Sequence, residues 1–146
     1  MIEEGKGYGK YLSVLEEGRI GGKTGINYMH DITEGGVLGA VWEAQNAINK
    51  GIKIYKDAIP VTDVTKEVCK ILDINPLRLI SSGSMLMIAN DEQLSILESE
   101  FKKKDIQLSV IGEVIEEGIF MLDNGELQDI EAPKADELYI ALSKFK

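Results

Sequence analysis

Tyr28-Met29-His30-Asp31-Ile32-Thr33-Glu34-Gly35-Gly36-Val37-Leu38-Gly39 is the stretch on which the reading of this chain turns. A short strand, Ile26 to His30, ends in a tight polar turn, and a helix opens at a Gly-Gly pair. The helix is predicted from Glu34 to Asn49, because Val37, Leu38, Val41, Trp42, Gln45 and Ile48 form one largely apolar stripe. The first amides of a helix have no partner inside it and carry a partial positive charge. With no side chains at Gly35 and Gly36, a phosphate or a polarised carbonyl oxygen can reach that backbone. The structural alternative is an ordinary capped helix. Asp31 or Thr33 then covers the amides, Asp31 and Glu34 match a capping box, and the glycines only pack. The segment is neither a Walker A loop nor a GxGxxG fingerprint, so spacing alone leaves both readings open.

On the N-terminal side, Lys10 to Glu17 reads as a short helix ending at Gly18. On the C-terminal side, Gly51 is expected to end the long helix as its C-cap, and Ile52 to Tyr55 alternates like an edge strand. Pro60 precedes a helix from about Thr62 to Leu72 with Val64, Val68, Ile71 and Leu72 inward, and Pro76 to Leu79 is a single turn. Met85 to Ala89 is a continuous apolar run, the pattern of a central strand buried on both faces. Asn90 with Gln93 predicts a capping box for a helix running to about Lys103. A strand from Ile106 to Val114 follows. A hairpin comes next, with Ile119–Leu122 and Glu126–Ile130 joined by Asp123-Asn124-Gly125. Pro133 introduces a last helix to about Phe145. Helices between strands, plus a hairpin, give an α+β fold: a mixed sheet packed with helices.

Composition narrows the functions. The 146 residues fit one domain, with 44% hydrophobic and 28% charged residues as in globular proteins. Twenty-five acidic against 16 basic residues give a net charge of −9, which opposes general nucleic-acid binding and anionic lipid surfaces. No apolar run approaches the roughly 20 residues of a membrane span. Met1 to Lys6 is acidic with no apolar core, so it is not read as a signal peptide and the expected location is the cytoplasm. One cysteine, Cys69, and one histidine, His30, cannot build a structural zinc site, and no metal site is expected on this chain. Cys69 is read as an inert thiol next to core position Val68.

Glycine is concentrated early, 11 of 15 at or before Gly51, where close backbone approach or positive φ is needed. His30 is a candidate ligand contact or acid–base group, or a buried histidine bonded to backbone. Asp31 is a candidate for a hydroxyl or metal, or a cap. Ser82-Gly83-Ser84, ahead of the apolar strand, is a second candidate: a small polar turn that presents N–H and OH groups, or a β-bulge.

In this order the motifs resemble the C-terminal domain of the aminoimidazole-ribonucleotide (AIR) synthetase superfamily, which includes HypE-like AIR synthase-related proteins. Met29 to Leu38 matches that family's Asp-x-Thr-x-Gly-Gly-Leu turn. Gly51 to Ile54, the Asn75-Pro76-Leu77 turn, Ser82-Gly83-Ser84 and Ile111-Gly112-Glu113-Val114 follow in the family's sequence. The resemblance implies an α+β domain, partly ferredoxin-like. It implies that residues 1–146 form one domain, the C-terminal half of a two-domain protein whose N-terminal half is absent here. In the family that half dimerises and carries the carboxylates for Mg and ATP, and ATP phosphorylates an amide or similar atom into a leaving group. His30, Asp31, Thr33, Glu34, Gly35, Gly36, Ser82, Gly83 and Ser84 would then face the cleft between the halves and hold a nucleotide or phosphorylated small molecule. No catalytic residue is assigned. The chain alone is expected to lack ATPase activity, and Gly36→Val to weaken ligand binding with little change in fold. HypE proteins of hydrogenase maturation end in a cysteine, whereas this chain ends Ser143-Lys144-Phe145-Lys146, so a different substrate is expected. The alternatives are a stand-alone nucleotide- or anion-binding module without catalysis, and an interaction domain in which the Gly-Gly turn only packs.

Overall fold

The computed structural model describes Gly9 and residues 11–145. Met1 to Lys6, read above for targeting, and Lys10 lie outside the described residues. The elements in order are α1 (Leu15–Thr24), β1 (Tyr28–Ile32), α2 (Gly36–Ile48), β2 (Gly51–Tyr55), α3 (Asp63–Leu72), β3 (Ser84–Ile88), α4 (Asp91–Lys103), β4 (Gly112–Ile115), β5 (Ile119–Asp123), β6 (Glu126–Asp129) and α5 (Glu137–Ser143). Short 3₁₀ turns cover Lys56–Ala58 and Pro76–Arg78.

Two sheets carry the fold. β1 and β3 form an antiparallel ribbon, and a four-stranded sheet has the order β4-β2-β5-β6. In the larger sheet β2 and β5 are parallel and the other pairs antiparallel. This is the mixed α+β arrangement expected. α2 lies between the sheets. Its Val37, Leu38, Ala40, Val41 and Ala44 are buried together with Ile32, Ile52, Ile54, Leu77 and Ile130. Burial of such side chains contributes about 1.5–3 kcal/mol each, so this helix is the centre of the main core. A smaller cluster, Ile20, Leu97 and Phe101, joins α1 to α4.

Several local signals give the element expected. Asn90 accepts from Gln93 N at 2.9 Å and the Gln93 side chain accepts from Asn90 N at 3.0 Å, a reciprocal capping box. The β5–β6 turn holds Asn124 and Gly125 at φ 49° and 86°, the pair of positive φ values a type I′ hairpin needs.

Other expectations are corrected. α1 starts at Leu15 and runs through Gly18 to Thr24, because its glycine-bearing face lies against Met29, Met85 and Met87 and packing overrides the helix-ending reading of Gly18. The left-handed residue after α2 is Asn49, not Gly51, which opens β2. β2 is an inner strand, not an edge. Its alternating Lys53 sits on the open face in an ion pair with Glu113 of β4. β3 is half-buried in a two-stranded ribbon, and its apolar run reflects a helix on each face, α1 on one and α2 on the other. Of residues 106–114 only those from Gly112 onward form β4, because Ile106 and Leu108 pack onto the α1–α4 cluster instead. In α3 the buried residue is Cys69, while Ile71 is exposed. The last helix begins at Glu137, capped by Asp136, well past Pro133.

Candidate functional site

The strand–turn–helix unit forms, but β1 lies two residues later than read, so Asp31 and Ile32 belong to the strand and not the turn, and the register places the second motif beside it. Ile32, the last residue of β1, pairs with Ser84, the first of β3. The Thr33–Gly35 turn and the Ser82-Gly83-Ser84 turn therefore lie at the same end of the ribbon. Of the candidate residues, Gly35 and Gly36 are buried, Gly83 is half-buried, and Thr33, Glu34, Ser82 and Ser84 are exposed.

The amides at the α2 start are not covered by the side chain of Asp31 or Thr33, and the expected capping box does not form. Gly35 is the N-cap residue and no local side chain caps the helix. The Thr33 carbonyl accepts from Gly36 N at 3.2 Å. The Gly35 amide donates instead to Asp136 Oδ2 at 2.7 Å, across 101 residues. Asp136 is the buried polar or charged side chain among the described residues, 4% exposed. Its Oδ1 accepts from Leu138 N at 2.8 Å, so one carboxylate caps α5 and closes the start of α2. A charge-assisted bond to a buried amide is worth about 1.5–3 kcal/mol.

Gly36 has φ 62°, and an added Cβ would lie 2.6 and 2.7 Å from the Leu77 and Leu79 carbonyl oxygens. Its missing side chain is thus filled by the 3₁₀ segment, not left open to a ligand. Gly83, at φ 93°, meets the Tyr11 carbonyl in the same way. Glu34 accepts from the Tyr139 hydroxyl at 3.0 Å, and this bond raises the phenol's pKa above its ordinary value.

His30 and Asp31 border the same open groove, and His30 has side-chain partners as well. His30 Nδ1 lies 3.2 Å from the Tyr28 hydroxyl and 3.2 Å from Glu43 Oε2 of α2. Burial, then Glu43, pushes the Tyr28 phenol up. His30 is therefore held by side chains and not by backbone. Asp31 is exposed and lines an open groove with Met29, Met85, Glu16 and Arg19. The groups that sequence reading missed are Asp136, Tyr139, Tyr28 and Glu43. The helix-capping role of Asp136 had a signal, an Asp just ahead of Glu137-Leu138, but nothing local connects it to Gly35. Cys69 is buried and burial raises its thiol pKa, in keeping with an unreactive group.

Among the described residues no group of three or more His, Cys, Asp or Glu side chains could hold a metal ion. Among the described residues no helix is long and apolar enough to cross a membrane.

Comparison with known proteins supplies the family. Residues 10–123 match the family described as AIR synthase related protein, C-terminal domain. Carbamoyl dehydratase HypE of Escherichia coli is 32% identical over 96 residues, 63% of this chain and 28% of that protein. A protein of Methanocaldococcus jannaschii, provisionally named for hydrogenase expression/formation, is 38% identical over 79 residues, 54% of this chain and 22% of its own length. The crystal structure of E. coli HypE superposes with a TM-score of 0.65 at 28% identity, covering 77% of this chain and 36% of that one. The chain thus spans between about a fifth and about a third of these relatives.

Proposed function

The chain belongs to the AIR synthase related protein family, as its C-terminal domain, and from that premise we propose that it supplies one wall of the phosphate- and substrate-binding cleft of an ATP-dependent enzyme of the AIR synthetase and HypE kind. The observation that carries this is the 2.7 Å bond from the Gly35 amide to a carboxylate oxygen: the turn that bears the family motif already binds an anionic oxygen. A HypE structure solved with ATP shares the fold, with a TM-score of 0.63 at 20% identity, and speaks to the fold alone.

In this reading the Gly35 N–H and the positive end of α2 hold negative charge on a phosphate or on a substrate oxygen. Thr33, Ser82 and Ser84, exposed at the same end of the ribbon, offer hydroxyls to the same ligand. His30, fixed by Tyr28 and Glu43, is a polar group one strand position behind Asp31. Gly36 and Gly83 act by letting the turns close, not by touching the ligand. ATP would supply the phosphoryl group that makes an amide-type oxygen a leaving group. Mg, and the carboxylates that bind it, are assigned to an N-terminal domain that would also dimerise and close over this one. The cytoplasm is the proposed location, and a protein partner is proposed for the whole enzyme, on the example of the HypE–HypF complex. The alternative, a module that binds an anion or packs without chemistry, is favoured by one observation: close packing alone accounts for Gly36 and Gly83.

Amide spectra of the ¹⁵N-labelled chain, titrated with inorganic phosphate and with ATP at millimolar concentration, test the site. Shifts centred on Gly35 are expected, with no Mg-dependent ATP turnover by the chain alone. An unmoved Gly35 overturns the site. Turnover by the chain alone overturns the division of labour between the two halves.

A further inference from the structure

Residues 131–145 lie beyond the stretch that matches the family. Their apolar side chains mostly face outward: Leu138, Ile140, Leu142 and Phe145 are 38%, 40%, 54% and 74% exposed, and within α5 only Ala141 is buried. A helix of seven residues has little stability of its own in water. Its apolar anchors are small, Ala141 and Pro133 over Gly35 and Gly39, and the other contacts that hold it are polar. Asp136 grips the Gly35 amide, and Tyr139 donates to Glu34. The Lys144 ammonium donates to the carbonyls of Leu72 and Asp73 at the end of α3. Arg78 donates to the Glu131 carbonyl at 3.3 Å.

We propose that residues 131–145 are a releasable strap that covers the β1–α2 turn and is latched by Asp136. Few buried apolar contacts combined with several polar anchors describe a unit that opens as a whole at less cost than the core. Opening takes the Asp136 carboxylate off the Gly35 amide and uncovers it. The strap is thereby a built-in competitor: an outside anion reaches that amide only when the carboxylate leaves. This consequence rests on the reading of the turn as an anion site. The strap itself does not.

Asp136→Asn isolates the latch. The amide oxygen can still accept from Leu138 N and cap α5, but the NH₂ group left facing Gly35 cannot accept its proton. Hydrogen exchange of the wild-type chain is the first measurement. Gly35 and the protected amides of 137–145 are expected to exchange through one common opening, faster than Val41 of α2 and Ile54 of β2. In Asp136→Asn that set should accelerate about tenfold to a hundredfold with the core unchanged. Strap amides that exchange only at the core rate overturn the proposal, and so does a Gly35 amide that opens independently of them. Phosphate titration of both proteins separates the two readings. If the strap opens as stated and phosphate moves Gly35 in neither protein, the strap stands and the anion site falls. If phosphate binds Asp136→Asn several-fold more tightly, both stand.

Discussion

The starts of α2 and α4 do the same job by opposite means. α4 satisfies its first amides within four residues, Asn90 to Gln93, through a reciprocal pair of side-chain bonds. α2 has no local cap and borrows a carboxylate from Asp136, 101 residues away. The local cap is fixed as soon as the helix forms. The borrowed one exists only when the C-terminal segment has docked, and in the proposed opening of the strap it is lost while the helix stays wound. Under the proposed function, the second arrangement lets a ligand anion take the place of the carboxylate, which the first does not.

The largest expected effect comes from filling the place where α2 meets the 3₁₀ turn. Gly36→Val puts a β-branched residue at φ 62° and a Cβ within 2.7 Å of two carbonyl oxygens, so a loss on the order of 4 kcal/mol is expected. This replaces the expectation of little change in fold. Denaturant unfolding of the variant checks it, and an unchanged midpoint would show that α2 can shift away from Leu77 and Leu79.

The two caps can be compared directly. Asp136→Ala strips acceptors from two amides, one of them buried, and should cost about 2–4 kcal/mol, whereas Asn90→Ala should cost about 1 kcal/mol. Equal losses in thermal unfolding would mean that the remote carboxylate is no more than an ordinary cap.

The smallest effect belongs to the open face of the larger sheet. Glu113 accepts from the Lys53 ammonium at 2.6 Å and from the Tyr55 hydroxyl at 2.8 Å, and these bonds, Lys53 first, hold its carboxyl below the usual range. A depressed carboxylate stabilises above its unfolded pKa and loses that contribution as pH falls through the folded value. Glu113→Gln should therefore flatten acid unfolding slightly and leave neutral stability nearly unchanged, since exposed pairs contribute little and salt screens them. A large loss at neutral pH would place this pair among the structural contacts.

The readable parts of the fold were those whose cause lies within a few residues. The β1–turn–α2 unit, the Asn90–Gln93 box and the Asn124-Gly125 hairpin follow from spacing and backbone preference. The misread parts were those in which a distant partner decides. α1 continues through Gly18 because methionines of the β1–β3 ribbon support it. β2 is an inner strand because β5 runs parallel beside it, which alternation in residues 52–55 does not reveal. Within the candidate site, Gly35 and the Ser82–Ser84 turn were visible as residue types. Their meeting at one end of the ribbon required the Ile32–Ser84 pairing.

By itself, then, the sequence determined the α+β class, the family and the turn at which α2 begins, because periodicity and motif order are written along the chain. Tertiary structure alone decided what that turn touches. Gly36 faces carbonyls of the 3₁₀ segment, and Gly35 gives its proton to Asp136. The physical reason is that an unpaired backbone amide is a local fact, whereas the oxygen that satisfies it is chosen by how the whole chain folds.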